Sequence, residues 1–118
     1  MTIQDIKEIL QATILWADEK MLGCEVHTAC GSDMMSDVLA FVKDQAVLLT
    51  GLVNPQVIRT AEMMDIVCIV FVRGKNPDPA MIDLARERGI ALLSCDYRMF
   101  TACGLLYENG LRGGCESR

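Results

Sequence analysis

From Ile66 to Val72 the chain is apolar without a break, IVCIVFV, and polar residues return at Arg73-Gly74-Lys75-Asn76. A short run of this kind, rich in β-branched residues and bounded by turn residues, predicts a strand buried on both faces. AVLLTG from Ala46 and GIALLSC from Gly89 repeat the pattern, so strand starts recur at intervals of 20 and 23 residues. Each gap has room for one helix, which predicts consecutive right-handed crossover units of one parallel sheet. In the first gap Asn54-Pro55 supplies a cap and a proline for the first helical turn, and Val57, Ile58, Ala61 and Met64 form the buried stripe. In the second, Asp78-Pro79 starts a helix whose Met81, Leu84 and Ala85 face the sheet, and Gly89 stops it after Arg86 and Arg88. Asp96 then caps a final helix carrying Met99, Phe100, Cys103, Leu106 and Tyr107, closed by Asn109-Gly110.

The amino-terminal half is less regular. Thr2 and Asp5 form a capping box ahead of a first helix with Ile3, Ile6, Ile9 and Leu10 at helical spacing. Thr13 to Trp16 and Glu25 to Cys30 read as two short strands around the polar turn Asp18-Glu19-Lys20. After Gly31-Ser32-Asp33 breaks the chain, Met35, Val38, Leu39 and Val42 mark the buried face of a second helix. The doublets Met34-Met35 and Met63-Met64 read as core filling or as an adaptable partner surface. The fold class is α/β: one domain over residues 1–110, layered α/β/α, with a largely parallel central sheet built from successive β–α units. Residues 111–118, ending in RGGCESR, read as a flexible tail.

Composition narrows the function. The chain has 118 residues, 52% of them hydrophobic but only 5% aromatic, so aliphatic side chains and methionine build the core. Its net charge of −5 and lack of a basic cluster argue against nucleic acid as a partner. No apolar run approaches the length of a membrane span, and the acids in MTIQDIKEIL exclude a secretory signal, so a cytoplasmic protein is expected.

Six cysteines and one histidine, His27, give no Cys-x-x-Cys pair. Reduced structural thiols are therefore expected, with no metal and no cofactor. The chain contains no phosphate-loop, dinucleotide or nucleophile-elbow motif. Ser94-Cys95-Asp96 offers a thiol beside an acid, but an acid alone raises a thiol pKa. No enzymatic activity is expected, and a cysteine-based sensor or small enzyme is the weakest reading.

The candidate site comes from the sheet. Ligands of open parallel sheets bind beyond the carboxyl ends of the strands, where loops present backbone N–H groups. Three loops qualify here, and they contribute Thr50, Gly51 and Asn54, then Arg73, Gly74, Lys75 and Asn76, then Ser94, Asp96, Arg98 and Thr101. The mixture suits a phosphate or carboxylate with a polar head. Thr50, Asn54 and Asp96 are equally the residues that helix starts prefer, and Gly51 and Gly74 are equally turn glycines.

MTIQDIKEIL, SDMMSDVLAF, LLTGLVNPQVI, IVFVRGKNPDPAMIDLARERGIALLSC and DYRMFTACGLLYENG, in that order, resemble the DRTGG domain over roughly residues 1 to 110. Such modules are similar to the amino-terminal domain of HPr kinase/phosphorylase. Gly51 alone matches the family's Gly-Asp-Arg motif; Gly74 fits its second glycine-bearing loop, and Asp96, Tyr97, Phe100 and Thr101 fit its last motif. The resemblance implies a non-catalytic regulatory or accessory module that forms a homodimer and takes an anionic metabolite or nucleotide. It implies as the alternative an interaction subunit of a larger, hydrogenase-associated system without a small ligand.

Overall fold

The computed structural model describes residues 1–41 and 44–114. Helix α1 (Ile3–Ile9) opens on the expected capping box: Asp5 N–H donates to Thr2 Oγ1 at 3.1 Å, and Thr2 N–H to Asp5 Oδ2 at 2.9 Å. Hydrogen bonds to the carboxylate from the Thr2 backbone N–H, and then from the Thr2 hydroxyl, favour the ionised acid and hold the Asp5 carboxyl below its ordinary range. Strand β1 (Thr13–Trp16), a single turn of helix α2 (Glu19–Leu22) and strand β2 (Thr28–Gly31) follow. From there the chain alternates without interruption: α3 (Met35–Phe41), β3 (Ala46–Thr50), α4 (Pro55–Met63), β4 (Ile66–Phe71), α5 (Pro79–Arg88), β5 (Ala91–Ser94) and α6 (Met99–Glu108).

The five strands form one sheet in the order β1-β5-β4-β3-β2, parallel throughout except for β1, which runs antiparallel to β5. Alternation along the strands divides the core. Val47, Leu49, Cys68, Val70, Ala91 and Leu93 pack with Ile3 and Ile6 of α1 and with Ala102 and Leu106 of α6. On the other face Leu48, Ile69, Phe71 and Leu92 pack with α3, α4 and α5 through Val38, Ile58, Met81 and Ala85. With both faces covered, β3 and β4 read as continuous apolar runs, which is why they are the plainest elements of the sequence. Asn54 caps α4 and Asp78 caps α5, each followed by proline, and Gly89 ends α5 at φ +70.

Four expectations need correction. The two amino-terminal strands do not flank a turn: they lie at opposite edges of the sheet. Asp18 accepts from Met21 N–H and starts α2 where a hairpin would need a tight two-residue loop, and β2 begins only at Thr28. Leu39 is 41% exposed, so the buried face of α3 rests on Met35 and Val38; Val42 lies outside the described residues.

Asp96 does not cap α6, whose N-cap is Arg98 without a side-chain cap bond. Arg73 N–H donates to the Tyr97 carbonyl and Gly74 N–H to the Cys95 carbonyl, both at 2.8 Å. These bonds carry the β4–β5 pairing past the strand ends and delay the helix.

The chain stays packed beyond residue 110. Leu111 is 5% exposed, Ala29 N–H donates to the Arg112 carbonyl at 2.9 Å, and the Arg112 guanidinium lies 3.8 Å from the centre of the Tyr107 ring. An unpaired strand edge recruits backbone partners, and β2 recruits this segment. Residues 115–118 lie outside the described residues.

Each methionine doublet splits. Met34 and Met63 are exposed, Met35 is buried, and Met64 is partly buried. Each doublet straddles a helix end, Met34 just before α3 and Met64 just after α4, so its two members face different surroundings.

Candidate functional site

The loops after β3, β4 and β5 lie side by side because those strands are neighbours. They form two groups.

The first group surrounds Asp33, in the loop after β2. Its Oδ1 accepts from Thr50 Oγ1 at 3.1 Å and from Gly51 N–H at 2.7 Å. Its Oδ2 lies 4.0 Å from Arg73 Nη2, with both side chains about half exposed. A pair at that distance and exposure adds little stability and leaves the guanidinium open to a better anion. The Arg73 guanidinium lies directly over Gly51, so a Cβ there would displace it. Thr50 is fully buried, and its hydroxyl also accepts from Leu52 N–H at 3.1 Å.

The second group is a cleft of about 160 Å³ lined by Gln11, Thr13, Gly74, Asn76, Ser94, Cys95 and Asp96. It sits where the chain changes sides: α5 leaves β4 toward one face of the sheet, and α6 leaves β5 toward the other. Diverging connections of this kind open a crevice between strand ends. Arg73 and Gly74 both have positive φ, +61 and +68, and Lys75 N–H closes a tight turn on the Val72 carbonyl at 3.2 Å. Gly74 also keeps the floor clear, because a Cβ there would stand 3.3 Å from Asp96 Oδ1. Ser94 Oγ donates to the Lys75 carbonyl at 3.0 Å, and Asn76 Nδ2 to the Gly74 carbonyl at 3.3 Å. The lining thus offers amide, hydroxyl and carboxylate groups.

Of the residues expected at the site, Gly74, Asn76, Ser94 and Asp96 line the cleft, while Thr50, Gly51 and Arg73 join the Asp33 group. Lys75 is exposed and reaches the cleft only through its carbonyl. Asn54 caps α4, and Thr101 is exposed on the first turn of α6. Sequence reasoning missed Asp33, Gln11 and Thr13. Asp33 was visible only as a chain break; its role needs the knowledge that β2 pairs with β3.

The thiol chemistry is weak. Burial pushes the Cys95 thiol above its ordinary value, outweighing an opposing hydrogen bond with the Tyr97 backbone and helped by the nearby Asp96 carboxylate, so it stays protonated at neutral pH. His27 pairs with Asp44 at 3.1 Å, beyond the amino end of β2 and away from Cys95. Among the described residues no three His, Cys, Asp or Glu side chains gather to hold a metal. No helix among them is long and apolar enough to cross a membrane.

A larger cavity, about 670 Å³, opens beside Glu8, Glu25, His27 and Asn109. Its charges are already spent: the Met1 ammonium pairs with Glu25 at 3.0 Å, and Asp5 serves the cap of α1.

A solved structure of the same architecture contains the CBS and DRTGG domains of the regulatory region of Clostridium perfringens pyrophosphatase, complexed with the activator diadenosine tetraphosphate. The two chains share 16% identity at a TM-score of 0.71; the match covers 89% of this chain and 45% of that one, so this chain spans less than half its length. No curated protein matches at a significant level. The DRTGG domain model matches residues 5–108, nearly the whole packed chain, and the chain belongs to the DRTGG domain family.

Proposed function

We propose that this chain is a non-catalytic regulatory or accessory module, cytoplasmic and homodimeric, that receives a small anionic ligand at the carboxyl ends of β3, β4 and β5. The observation that carries this reading is the cleft at the point where α5 and α6 diverge, with Asn76, Ser94 and Asp96 on its walls; the cations nearest in sequence are Lys75, exposed on the loop between Gly74 and Asn76, and Arg73, which stands in the neighbouring Asp33 group. Its volume suits part of a ligand, such as a ribose or a base edge, while a phosphate stays outside with the cations. A nucleotide combines those parts. The pyrophosphatase regulatory region that shares this architecture is activated by a dinucleotide, which supports the same ligand class. The protonated Cys95 and the remote His27 support a binding role over a catalytic one.

Thermal unfolding tests the reading with AMP, ATP, diadenosine tetraphosphate and inorganic phosphate as probes. A ligand that binds only the folded chain, present at about ten times its Kd, adds about 1.4 kcal/mol. For a chain of this size that raises Tm by roughly 4–8 °C. At least one nucleotide is expected to give such a rise, smaller in Asn76→Ala and Arg73→Ala. No rise with any probe would overturn the reading.

A further inference from the structure

Helix α6 turns an unusual surface to solvent. Between Arg98 at its N-cap and Glu108 at its end it has no charged side chain, whereas α1, α4 and α5 all carry charges within their length. An apolar composition of this kind belongs to a helix covered on all sides. Only Ala102 and Leu106 are fully covered, however, and Phe100 is 90% and Tyr107 54% exposed. Positions 100, 104 and 107 share one helical face. Between the two rings sits Gly104, where a Cβ would meet nothing within 4 Å, so no neighbouring element in this chain demands a glycine. A glycine inside a helix costs about 1 kcal/mol relative to alanine.

We propose that this strip is the surface on which two copies of the chain meet, with their α6 helices antiparallel about a two-fold axis near Gly104. The inference rests on the homodimeric part of the function proposed above and gives that dimer its surface. Four features select a second copy as the occupant. Each copy carries a net charge of −5, so copies approach most easily through an uncharged strip.

A two-fold axis reads the row in reverse on the other copy, which sets Phe100 against the partner's Tyr107 at both ends. The gap over Gly104 lets the backbones close on the axis. The ends of the strip also carry opposite charges, and antiparallel pairing brings Arg98 toward the partner's Glu108. The rim extends to Arg112, already stacked on Tyr107.

Sedimentation from micromolar to millimolar concentration tests this on the full chain, using the wild type, Phe100→Glu, Gly104→Glu and the control Met63→Glu. Met63 is 72% exposed on α4, outside the strip. The wild type and Met63→Glu are expected to dimerise alike, and the two strip variants to dimerise at least roughly tenfold more weakly, because each charge enters the contact twice. Phe100 makes few internal contacts, and Gly104→Glu raises the helix propensity of α6, so unfolding would not explain the loss. Circular dichroism checks this. A wild type that stays monomeric, leaving the strip to another protein, overturns this proposal and the homodimer together. A dimer as strong in both strip variants as in the wild type overturns the surface and leaves the homodimer standing.

Discussion

Asp33 shows how the site's residues depend on contacts distant in sequence. The Thr50 hydroxyl is fully buried at the end of β3 and finds its acceptor 17 positions earlier in the chain. Removing that carboxylate takes partners from two donors at once, Thr50 Oγ1 and Gly51 N–H. A buried hydroxyl or amide left without its partner costs about 1–3 kcal/mol. Asp33→Ala is therefore expected to lower stability to urea by about that amount, and Asp33→Asn, which keeps one acceptor oxygen, by less. An alanine variant as stable as the wild type would mean that water replaces the carboxylate without loss. Nothing in the triplet Gly31-Ser32-Asp33 announces this duty. Thr50, Gly51, Arg73, Gly74, Asn76, Ser94 and Asp96 were legible because strand-end loops of a parallel sheet can be located from hydrophobic runs alone. Which of them share a cleft depends on the side each helix takes, and Asn54 and Thr101 turn elsewhere.

At the scale of elements, legibility follows burial. Strands β3 and β4 are covered on both faces, and their apolar runs name them; α4 and α5 announce themselves with Asn54-Pro55 and Asp78-Pro79. The edge strands β1 and β2 are short and half-exposed, so their sequences carry little pattern, and their partners are set by tertiary packing.

The packing of Leu111 and Arg112 after α6 is hard to read for a related reason. Glycines and charges around residue 113 suggest a free tail, while one side chain, Leu111, and one backbone segment beside β2 hold it. Leu111→Ala is expected to cost about 2 kcal/mol, the low end for a buried leucine. Hydrogen exchange at Ala29, whose N–H is held by the Arg112 carbonyl, should rise with it. Unchanged stability and exchange would show that the segment adds nothing to the domain.

Among the described residues the molecule is a parallel sheet with one antiparallel edge, placing α3, α4 and α5 on one face and α1, α2 and α6 on the other. That division locates both proposed activities. The change of side between α5 and α6 opens the cleft at the strand ends, and α6 itself, lying over the sheet, presents its uncharged strip outward. A ligand at the cleft touches the loop that leads directly into α6, because Cys95 and Asp96 precede its N-cap by a few residues. The proposed binding site and the proposed dimer surface thus meet at one helix, an arrangement suited to a regulatory module.

The central claim is that the cleft binds a nucleotide, and amide chemical-shift mapping by NMR tests it most directly. Titration with diadenosine tetraphosphate and with ATP is predicted to move the amides of residues 73–76 and 94–98, with Gln11 and Thr13 following. Saturation should occur at one ligand per chain, and Asn76→Ala should weaken it. A folded protein whose spectrum stays still under both nucleotides, or shifts only around Glu8, Glu25 and His27 at the opposite end of the sheet, would contradict the claim.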